Sequence, residues 1–260
     1  MKIWCQTYAP AGVDPRWSYY GEAFERHARK AARADTEIHF VGVEKYAPRM
    51  PQYKYLRYMH IGQVIEGGLQ AEAEGYDAFV LLGMLDLGFY ELREALDIPV
   101  LFVAETSFCI ACLIAAKFSF VASTEPSLYG LEELVTRYGL RERYVPASHM
   151  GAESRELLAS DFRDAPKEVI RQFIPAARAV IERGAGVIVP AFGPLAVFLA
   201  EEGVHEVDGV PVLDSMAVLI KTAEMMVDLK KLGMPRITRG PYSSPGKEAL
   251  AAARKLYGFE

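Results

Sequence analysis

Glu74-Gly75-Tyr76-Asp77-Ala78-Phe79-Val80-Leu81-Leu82-Gly83 decides how this chain folds. Ile61, Val64, Ile65 and Leu69 keep helical spacing up to Gly75, a residue suited to stopping a helix, and the apolar run Ala78 to Leu82 then reads as a buried strand. Gly83 opens the loop beyond it. The same order returns in Arg183-Gly184-Ala185-Gly186-Val187-Ile188-Val189-Pro190-Ala191-Phe192, preceded by the stripe Val169, Ile170, Phe173, Ile174, Ala177, Val180 and Ile181. Positions 83 and 192 are equivalent in the two units, 109 residues apart. Two such units also arise by chance, so periodicity alone leaves duplication open; a true repeat means two similar lobes.

Outward from this stretch, strand-like and helical segments alternate. Strands are expected over Lys2–Thr7, Thr36–Val43, Pro99–Ala104 and Phe118–Ser123, and helices over Tyr19–Ala34, Tyr90–Leu96 and Ser107–Ala116. That alternation predicts an α/β fold with parallel sheets flanked by helices. The stretch Tyr46–Tyr58 carries four tyrosines and two prolines and exceeds an ordinary βα loop, which suggests a lid or an aromatic entrance; plain packing of a long loop is the alternative.

The 260 residues are 51% hydrophobic and 24% charged, enough for a sizeable core. A net charge of −5, with basic residues scattered, argues against nucleic acid as a partner. Cys5, Cys109 and Cys112 have no metal-ligand spacing and, being three, cannot all pair, which points to a reducing, cytoplasmic compartment. The opening strand meets Pro10 and Gly12 too early for a signal peptide, and no apolar window is long enough to span a membrane. No GxGxxG follows a strand, no Walker loop or GxSxG occurs, and the five histidines form no HExxH. No cofactor and no metal are therefore expected. A homo-oligomer is left open.

Ligands of open α/β sheets bind beyond the carboxyl ends of the strands. Those ends supply Gln6, Thr7 and Tyr8; Gly83, Met84 and Asp86; Glu105, Thr106 and Ser107; Ser123 and Thr124; Phe192 and Gly193; and Asp214 with Ser215. Two facing lobes would converge these sets on one cleft.

The segments Gly75 to Gly88, Ile98-Pro99-Val100 through Glu105, Phe118 to Val121, Gly184 to Gly193 and Val210 to Asp214 resemble the aspartate/glutamate/hydantoin racemase superfamily, and its hydantoin racemase branch most. The resemblance implies two pseudo-symmetric lobes, with residues 1–105 plus 215–260 in one and 106–214 in the other, and a small carbonyl or carboxylate substrate in an active cleft between them. It also implies that one cysteine thiolate takes a proton from a carbon beside a carbonyl and a second cysteine returns one on the opposite face. Here those thiol positions match Gly83 and Phe192, and neither side chain moves a proton. Arylmalonate decarboxylases, which look similar, keep glycine at the first position but retain the second cysteine, and maleate isomerases use a cysteine nucleophile. This sequence departs from both patterns, and Phe192 adds an apolar wall.

Other groups must then supply the chemistry. Glu105 matches an acidic position common in the hydantoin branch and is the first candidate general base; capping the next helix is its alternative. Asp86 is the complementary acid or base, or a turn former. Cys109, at a position where that branch commonly has histidine, is expected on a helix's first turn with a lowered pKa, or as a small hydrophobe beside Cys112. Thr106, Ser107, Ser123, Thr124 and Ser215 offer donors to a carbonyl or carboxylate oxygen, or cap helices. His149 lies in a segment, 144–160, that would close over the cleft. The expectation is a cofactor-independent enzyme acting beside a carbonyl. Its alternatives are a hydrolase or decarboxylase using a carboxylate, and a binding paralogue that has lost catalysis.

Overall fold

The buried apolar runs become strands of two parallel sheets. A computed structural model describes the chain except residues 12, 48, 151–164, 236–238 and 260, and at 16, 165 and 166 it describes the backbone alone. The first sheet comprises β1 (Lys2–Gln6), β2 (Glu37–Val41), β3 (Ala78–Leu81) and β4 (Val100–Phe102) in the order β2-β1-β3-β4. Its helices are α1 (Ser18–Ala31), α2 (Lys54–Ala73) and α3 (Phe89–Ala95). Next come α4 (Val103–Ile114), β5 (Ser119–Ala122), α5 (Glu125–Arg137), β6 (Ser148–His149), α6 (Ala165–Glu182) and β7 (Ile188–Pro190), whose strands form the second sheet in the order β6-β5-β7. The chain continues with α7 (Gly193–Glu201), the small antiparallel pair β8 (Glu206–Val207) and β9 (Val210–Pro211), then α8 (Ser215–Lys231) and α9 (Lys247–Leu256).

Alternation along β1 and β3 sends successive side chains to opposite faces. Ile3, Cys5, Ala78 and Val80 join a core that continues through Phe108 into Phe118, Phe120, Phe173 and Phe198 beneath the second sheet. Trp4, Phe79 and Leu81 join a separate cluster under α2 with Met50 and Val64. The two sheets thus share one apolar core.

The helix stops at Gly75 and Gly184 are built alike. Gly75 N–H donates to Glu72 and Tyr76 N–H to Ala71, while Gly184 N–H donates to Ile181 and Ala185 N–H to Val180. Both glycines adopt the left-handed conformation, with φ of +78° and +97°. Gly139 closes α5 the same way, so the stop alone does not mark a duplication. The strands beyond the two stops carry the likeness further: β3 pairs in parallel with β1, and β7 with β5, placing Gly83 and Phe192 beyond corresponding strands.

Two local expectations are corrected. The strand expected over Pro99–Ala104 ends at Phe102, and α4 starts at Val103 with no connecting loop. Glu105 therefore sits on the first turn of α4, and Cys109 lies in the second turn rather than the first. The Tyr46–Tyr58 stretch is not one long loop, because α2 begins at Lys54. Tyr53, Tyr55 and Tyr58 are exposed, and Tyr46 alone of the four packs inward, edge-on to Trp17 and His60.

Candidate active cleft

The two loops beyond β3 and β7 meet. A Cβ placed on Gly193 would lie 3.3 Å from the Leu82 carbonyl oxygen and 2.8 Å from the Tyr20 hydroxyl, so the Gly83 and Phe192 loops face one another across a closely packed floor. Tyr8 takes up the space beside Gly83. A Cβ on Gly83 would fall 1.8 Å from Tyr8 Cε2, inside the ring. The Tyr8 hydroxyl donates to Gly83 O at 3.0 Å and accepts from Leu87 N–H at 3.1 Å, which fixes the ring over the loop. Burial and the nearby Asp86 hold the phenol well above its ordinary pKa, so it remains a donor. Gly83 is not among the left-handed positions, and glycine is needed there for space rather than for backbone angle.

Asp86 is almost wholly buried and braces this loop. Oδ1 accepts from Ala104 N–H at 3.1 Å; Oδ2 accepts from Glu105 N–H at 2.9 Å and from the Tyr138 hydroxyl at 2.6 Å. Asp86 thus caps α4 from another loop, satisfying donors that a helix start leaves open and replacing the local side-chain cap α4 lacks. Burial pushes its carboxyl up to about 7, against three donors that favour ionisation.

Glu105 is held elsewhere. Both its oxygens accept from the Arg93 guanidinium, which lies 4.3 Å from the Phe89 ring centroid and 5.1 Å from those of Phe102 and Tyr242. A carboxylate clamped in this way is not a free base, so the role expected for Glu105 does not match its geometry. Replacing Arg93 by Met should destabilise the fold by about 2 kcal/mol, because Glu105 is left partly buried without its partner; Glu105→Gln should cost less, and urea unfolding of both variants checks the order.

The remaining candidates divide. Gln6 turns away from the cleft, accepting from Trp4 Nε1 at 2.9 Å and lying against Gly67 of α2. Thr7 Oγ1 accepts from Ala9 N–H, and Met84 is buried in the main core. Thr106 donates back to Phe102 O at 2.7 Å, and Thr124 stands at the N-cap of α5 with its hydroxyl 3.0 Å from Ser127 Oγ. Ser123 is nearly buried beside it. Phe192 is the N-cap residue of α7. Asp214 caps α8 through Ala217 N–H at 2.9 Å and meets His27 Nε2 at 2.9 Å. Ser107 Oγ, Ser215 Oγ and His149 Nδ1 are buried with no partner among the described residues. His149 ends β6, while the rest of the segment expected to close over the cleft falls largely outside the described residues. Cys109 is exposed, and partial burial of its sulfur, reinforced by the Glu105 carboxylate, pushes the thiol up rather than down. That overturns the lowered pKa expected of it.

Sequence reasoning missed Tyr20 and His60. Nothing in the local pattern marks Tyr20, a residue of α1 whose hydroxyl reaches Gly193 across the fold. His60, 4% exposed on α2, stands edge-on to Tyr8 and Tyr46, and its Nε2 has no partner among the described residues.

Two α/β halves meeting at paired strand-end loops define the architecture of two-lobed racemases. The Asp/Glu/Hydantoin racemase family model matches residues 18–223, and the chain belongs to that family. A hydantoin racemase of Pseudomonas sp. (strain NS671) is 33% identical over 91% of each chain, and one of Rhizobium meliloti is 29% identical over 61% of this chain and 63% of its own. Among solved structures, the allantoin racemase of Pseudomonas fluorescens superposes with a TM-score of 0.76 at 23% identity, covering 94% of this chain and 97% of that one. Glutamate racemase RacE1 of Bacillus anthracis shares the fold at a TM-score of 0.59 and 13% identity, over 99% and 94% of the two chains. The relatives place this chain with the hydantoin racemase branch. Among the described residues no helix is long and apolar enough to cross a membrane.

Proposed function

We propose that this protein is a cofactor-independent enzyme that moves a proton at the carbon beside a carbonyl of a small substrate, without the two-thiol pair implied at positions 83 and 192. The observation that carries this reading is the exchange of volume at Gly83: the ring of Tyr8 stands where a side chain at 83 would stand, while the loop beneath is braced by Asp86 as a built element of the cleft. Hydantoins, the substrates named for its relatives, are the first class to try, with free amino acids and allantoin beside them. Asp86 and Glu105 act in this reading by holding the Gly83 loop and the start of α4 in place. Because both carboxylates are fully engaged, a binding protein without turnover is the second reading.

Incubation with (S)-5-benzylhydantoin, L-aspartate or (S)-allantoin in deuterated buffer at neutral pH separates the two. Deuterium should enter the carbon beside the carbonyl of at least one compound above the blank. Saturable binding with no exchange in any of them would favour the second reading.

A further inference from the structure

Arg57 of α2 carries a guanidinium that the described residues engage at one nitrogen only. Nε donates to Pro51 O at 3.0 Å, whereas Nη1 and Nη2 find no acceptor and no carboxylate partner among the described residues. The side chain is half-buried, and neither terminal nitrogen is sealed from solvent. A Cβ on Gly130 of α5 would lie 3.3 and 3.4 Å from Nη2 and Nη1, and 2.8 Å from Leu85 Cδ2. The guanidinium therefore stands where α2 of the first half, α5 of the second and the Gly83 loop meet. From there α2 follows the loop to its end, with Ile61 Cγ1 3.6 Å from where a Cβ on Gly88 would stand. Glycine inside a helix is less favourable than alanine, and at 130 it leaves room for a cation that makes no bond to α5. Two acids of the same elements are committed elsewhere: Glu133, one turn further along α5, pairs with Lys54 at 2.6 Å, and Asp86, next to Leu85, turns to the start of α4 and to Tyr138. Burial draws the guanidinium below its ordinary pKa, and Glu133 makes up only part of that loss.

We propose that Arg57 binds, through Nη1 and Nη2, a carboxylate that the substrate carries in addition to its carbonyl. This rests on the proposed function. A planar fork of two N–H donors matches the two oxygens of a carboxylate, and a cation that has lost part of its water without a protein counter-charge gains most from such a ligand. A group anchored there lies along the flank of the Gly83 loop. The substrates favoured are therefore hydantoins whose side chain at the carbon beside the carbonyl ends in a carboxylate, rather than those with an apolar or aromatic side chain.

Hydantoin-5-acetate and its neutral amide, hydantoin-5-acetamide, differ only in the group that would meet Arg57, and they test this on the intact protein. By calorimetry at neutral pH the wild type should bind the acetate about 10-fold or more tightly than the amide, and Arg57→Gln should bring the two within about threefold of each other by weakening the acetate alone. Arg57→Lys, which keeps the charge but not the fork, should retain part of the preference. Nitrogen-15 spectra should show the Arg57 side chain displaced by the acetate and not by the amide. Equal affinities in the wild type, binding of neither compound, an Arg57 signal that ignores the acetate, or a preference that survives in Arg57→Gln overturns the proposal. Deuteration of neutral hydantoins alongside any of these results leaves the proposed function standing. Binding of the acetate through Arg57, with no deuteration of any carbonyl compound, upholds the carboxylate site and overturns the proposed proton transfer.

Discussion

Gly83→Cys should cost about 3 kcal/mol of stability rather than restore a thiol to the cleft, because its Cβ must enter the Tyr8 ring. The ring cannot simply step aside: its hydroxyl is tied to Gly83 O and Leu87 N–H, and Tyr8 is buried in the cluster beneath α2. Tyr8→Ala alone should also destabilise by about 3 kcal/mol through the cavity it leaves. Together the two changes relieve one another, since the side chain at 83 gains the room the ring gives up. The double variant should therefore be more stable than the sum of the single losses by about 2 kcal/mol, a coupling expected only of residues in contact. Denaturant unfolding of the four proteins measures it. Additive losses would mean that Tyr8 and position 83 do not compete for one volume.

The second large effect is a pH dependence carried by Asp86. Its folded carboxyl, pushed up to about 7 by burial, is compared with an unfolded aspartate near ~4. Between those values the folded state holds a proton that the unfolded chain has released, so stability falls as pH rises through that window and levels off above it. A difference of about three units corresponds to about 4 kcal/mol as an upper figure. Asp208, Glu224 and Asp228, whose pKa values are lowered, act in the opposite sense: their contribution is present above the unfolded carboxylate value and lost as pH falls through the folded one. Only the difference between wild type and Asp86→Asn isolates the effect. Urea unfolding at about pH 4.5 and about pH 7.5, on either side of that window, should show the wild type losing stability relative to the variant as pH rises. A constant difference would place the Asp86 pKa outside this window.

The architecture is legible in the sequence because burial leaves a local trace. Ala78–Leu82 and Val187–Pro190 are apolar without alternation because both faces of those strands are covered, and Gly75 and Gly184 mark helix ends by a backbone need that a side chain meets poorly. The placing of positions 83 and 192 beyond corresponding strands follows from the likeness of the two helix–strand units. What stays hidden depends on pairs remote in sequence. Asp86 caps α4 from 18 residues away, so no reading of the helix's own start could find Val103 as its first residue. Arg93 claims Glu105 from another helix, removing the lone pairs that made it a candidate base. Tyr8 and Gly83 lie 75 residues apart, and nothing in either neighbourhood tells that one fills the space of the other. His60 gives no signal either, since an isolated histidine on a helix is ordinary until its Nε2 is found buried with no partner among the described residues.

The most direct test of proton transfer without sulfur is α-carbon deuteration by a protein in which Cys5, Cys109 and Cys112 are all replaced, Cys5 by Ala and the others by Ser, these being the only cysteines in the chain. Exchange at a rate within about threefold of the wild type is the predicted result, since no thiol takes part. A loss of about 100-fold or more in a folded triple variant, recovered by returning one cysteine, would show that a displaced thiol performs the chemistry and would contradict the account.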